Sequence, residues 1–248
     1  MARWSRMLAR LLLEWIEVPP GAVWLDLCCG TGILSMTIAE CREPSRVVGV
    51  DRSDGQIDFA RRHRAGLNIE YQVADAMSLP LPDASFDACV SGLGLNFITD
   101  PAKALEEVRR VMRPGGLVAA YVWEYSARAR FLREFWDAAI AVDPSASEFD
   151  QGRRFAICSA EGLRAAFEAA GFGSVETRPL DISMHFESFD DYWRPFLLGQ
   201  GSGPTYLAAR DESVRDAIRE RLRAVLPVAA DGSIRLEARA QAVRGTRP

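Results

Sequence analysis

The sequence predicts an α/β fold, a three-layer αβα sandwich. Its sheet is seven-stranded and mostly parallel, the last strand is antiparallel, and a helical cap is inserted late in the chain. Three observations predict this. Short, continuous apolar runs alternate with amphipathic stretches through the first half, as in strands buried on both faces and joined by crossover helices. A glycine turn follows the first complete run. Acidic residues stand at the ends of successive runs, where open parallel sheets bind ligands.

Taken in order, residues 7–16 form an apolar stripe interrupted by Arg10 and Glu14, an amphipathic helix stopped at Pro19-Pro20-Gly21. The stripe is too short and too charged to span a membrane, and it lacks the h-region and cleavage site of a signal peptide. A strand over 22–27 turns through Gly30 and Gly32 into a helix over 33–40. Strands follow over 46–50, 69–74 and 86–91, with a helix over 56–64 between the first two. A helix over 102–112 is broken by Pro114-Gly115-Gly116, and a fifth strand covers 117–123. Thereafter the spacing changes. We expect a helix over 127–142, an irregular stretch to 157, and a helix over 160–170 capped by Ser159 and ended by Gly171. A long extended run over 174–185 precedes a largely helical insertion over 187–230. Its Gly199–Pro204 run reads as a lid hinge. Asp231-Gly232 is a turn, and 234–243 alternates as a final strand that pairs antiparallel with the run before the insertion. The expected organisation is one domain over 1–248, with an N-terminal helical segment (1–20) and a cap (187–230).

Composition narrows the function classes. Of 248 residues, 48% are hydrophobic and 26% charged, an ordinary globular balance. The net charge of −4 argues against broad binding to nucleic-acid backbones. Lys103 is the only lysine, so the cations are almost all arginine, a bias best read as codon usage. The five cysteines, Cys28, Cys29, Cys41, Cys89 and Cys158, are odd in number and without a CxxC spacing. They read as reduced thiols in a cytoplasm, not as a disulfide framework or a zinc site. No metal is expected.

The strongest local signal is Leu25-Asp26-Leu27-Cys28-Cys29-Gly30-Thr31-Gly32. A buried strand ends in a turn whose glycines let a ligand approach the backbone at a helix N-terminus. Asp51, closing the second strand, is placed to accept from both hydroxyls of a ribose. A dinucleotide fingerprint would need a small third residue at position 35, where Ser35 is a near miss. Asp26, inside the strand, argues against a pyrophosphate and for a cationic amino-acid head. Asp75, after the third strand, is placed to accept from an adenine amino group.

These residues resemble the class I S-adenosylmethionine-dependent methyltransferases, in particular the small-molecule group that includes ubiquinone/menaquinone-type enzymes. Five pieces carry the resemblance in order: LDLCCGTG, VVGVD, VADAMSLPLPDASFDACVS, GLNFITDPAKALEEVRRVMRPGG and GLRAAFEAAGF. The resemblance implies a Rossmann-like sheet and S-adenosyl-L-methionine as cofactor. It places Asp26, Cys28, Gly30 and Gly32 at the methionine and ribose part and Asp51 on the ribose. Arg52 and Gln56 would flank the adenosine, with Asp75 and the Ala76 N–H on the adenine. Ser91 would approach the methionine part, and Arg6, expected ahead of the first helix, would reach its carboxylate. Cys28 departs from the family pattern, which has glycine there.

The implied reaction is methyl transfer to a small apolar or aromatic metabolite. Asn96, Phe97, Trp123 and Trp193 are candidates for the acceptor pocket. No general base stands out; His185, Glu124 and Tyr125 are the candidates. The Asn/Asp-Pro-Pro-aromatic motif of amino-methylating relatives is missing around Asn96, which disfavours DNA or protein methylation. Two other readings stay open on sequence alone: a catalytically inactive S-adenosylmethionine-binding protein, and a nicotinamide-dependent oxidoreductase. The oligomeric state is not readable.

Overall fold

A computed structural model describes residues 2–63, 68–125, 128–150, 152, 156–198 and 201–248. Arg64, Ala127, Gly199 and Gln200, parts of three expected elements, lie outside these. The chain forms a seven-stranded sheet of order β3-β2-β1-β4-β5-β7-β6. The strands are β1 (Val23–Leu27), β2 (Arg46–Asp51), β3 (Ile69–Val73), β4 (Phe86–Gly92), β5 (Met112–Trp123), β6 (Gly173–Phe186) and β7 (Ile234–Thr246). The β1–β2, β2–β3, β1–β4 and β4–β5 pairs are parallel. At the other edge β6 and β7 run antiparallel, Asp181 facing Arg239 and Glu176 facing Arg244 through ion pairs of 2.6 and 2.9 Å. The expected α/β class, mostly parallel sheet and antiparallel last strand are all present.

Backbone contacts divide the chain into two compact units. One comprises residues 2–122, 157–180 and 241–248; the other comprises 123–156 and 181–240. In the first unit, α1 (Ala2–Trp15) turns Leu8, Leu12 and Leu13 inward and packs on α2 (Ile33–Cys41). Helix α3 (Asp54–His63) covers β2 and β3. Helix α4 (Pro101–Val111) packs against α6 (Ala160–Ala169), which is capped by Ser159 Oγ accepting from Gly162 N at 3.0 Å. Leu25, Val47, Val90 and Val118 show why the runs are continuously apolar: the strands are covered on both faces.

The second unit holds α5 (Arg130–Val142), α7 (Phe189–Trp193), α8 (Ser202–Ala208) and α9 (Glu212–Val225). Its core is aromatic. Phe135 stacks on Phe196 at 4.3 Å, Trp136 meets Tyr206 at 5.6 Å, and the Tyr192 hydroxyl donates to the Phe131 carbonyl at 2.8 Å.

Three expectations change. Helix α4 stops at Val111, and β5 begins at Met112, before Pro114-Gly115-Gly116. Those residues form a bulge within the strand, Phe86 pairing with Met112 but Ala88 with Leu117. Proline has no N–H for the ladder, and Gly115 takes φ 78°, so the extra residues loop out and are recaptured by Arg247. Of the expected lid hinge, the described part runs into a helix: Ser202, Gly203 and Pro204 open α8, with Gly203 and Pro204 buried. A Cβ on Gly203 would come within 3.2 Å of the Phe135 ring, so this glycine serves packing. Finally, Arg6 lies inside α1, not ahead of it.

Candidate functional site

Strand β1 ends at Leu27, and the chain must then turn sharply into α2. Cys28, Gly30 and Gly32 do this with φ of 58°, 54° and 80°. The last two are glycines, for which such angles are free; Cys28 is not, and it adopts the left-handed region against its Cβ. The Cys29 N–H donates to the Val50 carbonyl at 2.9 Å, which ties the turn to β2. A Cβ at Gly32 would run into the Tyr71 ring, and one at Gly30 would stand 2.9 Å from Gln56 Oε1. Space forbids a side chain at Gly32, and positive φ disfavours one at both positions, which leaves bare backbone at the strand end.

Asp26 is buried within β1. Its Oδ2 accepts from Ser35 Oγ at 2.5 Å, while Oδ1 has no partner among the described residues. Burial, partly offset by the Ser35 bonds, raises the carboxyl pKa to about 7, with the nearby Asp51 charge adding to the rise. Asp51, at the end of β2, is held differently. Its Oδ2 accepts from Gly30 N at 3.0 Å and its Oδ1 from Ser53 N at 2.9 Å. Each carboxylate oxygen can accept a second bond, so Asp51 is oriented and still has acceptor capacity.

Around Cys28 the other expected residues gather. Burial first, then the charges of Asp51, Asp26 and Asp75, push its thiol up to about 12, and Arg52 partly opposes them. The thiol is therefore neutral and unreactive at physiological pH. Arg52 is exposed and Gln56 half-buried. Asp75, exposed after β3, accepts from Met77 N at 2.9 Å, and Ala76 beside it is buried. Ser91, near the end of β4, is buried with its Oγ unpartnered among the described residues. Gly94 fits directly against Cys28: a Cβ there would collide with the Cys28 Cβ and lie 3.4 Å from Ser91 Oγ. Asn96 is buried with neither amide atom partnered among the described residues, and Phe97 beside it is 48% exposed. Arg6 sits on α1 and pairs with Glu40 of α2 at 3.4 Å.

The remaining candidates belong to the second unit. Trp123 is buried against Phe131, and Trp193 against Phe189 and Phe196, so both tryptophans contribute to an aromatic core. Tyr125 is buried and Glu124 half-buried. His185 is half-buried on β6, its Nδ1 unpartnered among the described residues. Sequence reasoning missed the work of Ser35, Tyr71 and Gly94. Ser35 was legible only as a failed dinucleotide fingerprint, and nothing local marks Tyr71 or Gly94.

Among the described residues no cluster of acidic, histidine or cysteine side chains could hold a metal, and no helix is long and apolar enough to cross a membrane. All five cysteines are free.

A turn with two glycines at positive φ, buried polar atoms unpartnered among the described residues and acids at successive strand ends describe a nucleoside-type cofactor site on a doubly wound sheet. Comparison with known proteins specifies it. A family profile described as a methyltransferase domain matches residues 25–120. Demethylmenaquinone methyltransferase of Staphylococcus aureus is 31% identical over 179 residues, 67% of this chain and 74% of that protein. A candidate type II methyltransferase from Anaeromyxobacter dehalogenans superposes with a TM-score of 0.67 at 25% identity, covering 98% of this chain and 96% of that one. Haemonchus contortus phosphoethanolamine N-methyltransferase 2, solved with S-adenosyl-L-methionine, shares the fold with a TM-score of 0.62 at 20% identity, covering 99% of this chain and 53% of that one. The chain belongs to the class I S-adenosylmethionine-dependent methyltransferases. It is an enzyme of that class, and S-adenosylmethionine is its cofactor.

Proposed function

We propose that this methyltransferase methylates a small, apolar or aromatic acceptor, and that demethylated quinones are the class to test first. The observation that carries the site is the set of buried polar atoms without partners among the described residues, on Asp26, Ser91 and Asn96, beside a turn whose two glycines are held at positive φ. Buried polar groups are normally satisfied, so these mark where a polar ligand belongs. The acceptor class rests on the likeness to demethylmenaquinone methyltransferase.

The residues fit the cofactor part by part. Asp26 Oδ1 would take its cationic amino group, and the backbone at Cys28, Gly30 and Gly32 would line the methionine and ribose. Asp51 would accept from the ribose hydroxyls, between Arg52 and Gln56. Asp75 and the Ala76 N–H would read the adenine edge, and Ser91 would border the methionine chain. Arg6 would have to exchange Glu40 for the cofactor carboxylate, and exposed pairs of that kind are weak enough to exchange. When bound, S-adenosylmethionine supplies an electrophilic methyl group on a sulfonium. The chain's own contribution is alignment in a water-poor site, worth roughly 7–11 kcal/mol where geometry is good. The Asn96 amide offers N–H donors and a carbonyl oxygen to orient the acceptor, beside the exposed Phe97 ring. A base is needed only for a poorly ionised hydroxyl or carbon acid. Of His185, Glu124 and Tyr125, His185 comes first because its Nδ1 is buried without a partner. Free thiols are in keeping with a cytoplasmic enzyme.

Calorimetry with S-adenosylmethionine and S-adenosylhomocysteine, with NADH as control, comes first; about micromolar binding of the sulfur compounds alone is expected. Transfer of labelled methyl to demethylated naphthoquinones and benzoquinols, run beside phosphoethanolamine, then tests the acceptor. Turnover confined to the polar amine would overturn the acceptor class.

A further inference from the structure

Between Ala76 and β4 the chain runs through Leu79-Pro80-Leu81-Pro82-Asp83. Two prolines remove two N–H groups and bar the segment from sheet pairing. Its carbonyls need donors from elsewhere, and α4 supplies them. The Arg110 guanidinium donates to the Leu79 carbonyl at 2.9 Å, the Leu81 carbonyl at 2.8 Å and the Asp83 carboxylate at 2.6 Å. It is aimed by Glu107, whose two oxygens accept from it at 2.9 and 2.8 Å. The same Glu107 Oε2 accepts from the Leu79 N–H at 2.8 Å. Both backbone groups of Leu79 are therefore held by one ion pair. The backbone completes the strap, Ala84 N donating to the Arg110 carbonyl at 3.1 Å and Ser85 N to that of Val111 at 2.8 Å.

Leu79 directly follows the turn in which Ser78 N donates to the Asp75 carbonyl at 3.0 Å and Met77 N to the Asp75 carboxylate. Upstream, the turn is fixed by Ala74 N donating to the Asp51 carbonyl at 3.0 Å. Downstream, its first anchor is the Glu107–Arg110 pair. We infer that Glu107 and Arg110 are a positioning pair that sets the Asp75–Ala76 turn and so determines selectivity for adenine over other purines. The inference rests on the reading of Asp75 and Ala76 as the adenine edge. Neither side chain need touch the cofactor. A lysine at 110 keeps the charge but cannot reach three separate acceptors with a planar fork.

The test is the affinity of the full chain for S-adenosylhomocysteine relative to S-inosylhomocysteine, by calorimetry. In the inosyl compound the amino donor becomes a carbonyl and the ring nitrogen gains a proton, so both expected contacts are reversed. The wild-type chain is expected to prefer the adenosyl compound by about tenfold or more, the weight of one or two hydrogen bonds. Arg110→Lys is expected to reduce that preference to below about threefold while stability falls only modestly. Glu107→Gln, which keeps an acceptor for Leu79 N–H, gives the same reading should Arg110→Lys not fold. A melting temperature that falls with the preference intact would make the pair merely structural and overturn the inference. Absence of any preference in the wild-type chain would instead sink the assignment of Asp75 and Ala76, and the inference with it.

Discussion

Asp26 is a carboxyl group in a place that disfavours its charge. Burial raises its pKa from 3.8 to about 7, so the folded state holds its proton more tightly than the unfolded chain does. The sign follows from linkage. The contribution of Asp26 to stability is greatest below about pH 4, where both states are protonated, and is lost as pH rises towards 7, by on the order of 4 kcal/mol at about 1.4 kcal/mol per unit. A cationic amino group bound at Oδ1 reverses that preference, because it favours the ionised form. Affinity for S-adenosylhomocysteine should therefore rise about tenfold per pH unit from pH 5.5 towards 7 and level off above 8, with proton release at the low end. Calorimetry in buffers of different ionisation enthalpy measures this directly. In Asp26→Asn the affinity should be weaker and that release gone. An unchanged proton count in the variant would remove Asp26 from the cofactor site.

At the scale of elements, the site depends on how closely the ends of β1 and β4 approach. Cys28, in a left-handed conformation, fills the space that a side chain at position 94 would need, so Gly94 must remain bare. Gly94→Ala should cost about 1–3 kcal/mol, the usual penalty of overpacking, and weaken cofactor binding through displacement of the turn. Cys28→Gly alone should change stability by less than about 1 kcal/mol, because relief of the left-handed strain is offset by greater freedom of the unfolded chain. The double substitution should recover most of the Gly94→Ala loss. A double-mutant cycle by urea unfolding reads the coupling, and purely additive losses would show that the two positions do not meet. The elements themselves were largely legible: β1 to β4 and α6 fall within a residue or two of their expected bounds. The start of β5 was not. A Pro-Gly-Gly run reads locally as a break, and only pairing with Arg247, far along the chain, makes it a bulge.

For the molecule as a whole, binding is a stability statement. A ligand that binds only the folded chain should stabilise it by about 2.7 kcal/mol at a hundred times its dissociation constant. S-adenosylhomocysteine at that excess should raise the melting temperature by about 5–11 °C, at about 2–4 °C per kcal/mol for a chain of this size. NADH at equal concentration should leave it unchanged, and an equal shift with NADH would contradict sulfur-cofactor specificity.

The sequence by itself determined the class. Apolar runs that alternate with amphipathic ones can be satisfied only by strands covered on both faces, and the glycine turn with Asp26, Asp51 and Asp75 at strand ends can be read because each sits at a fixed offset from a local pattern. Tertiary structure alone decided how those residues are used. Ser35 holds Asp26, Gly94 makes room for Cys28, Tyr71 closes off Gly32, and Arg110 straps the segment after Ala76. Trp123 and Trp193 turned out to be core side chains of the second unit. Each of these depends on which side chains the folded backbone brings together, where burial and orientation, not residue type, determine the chemistry.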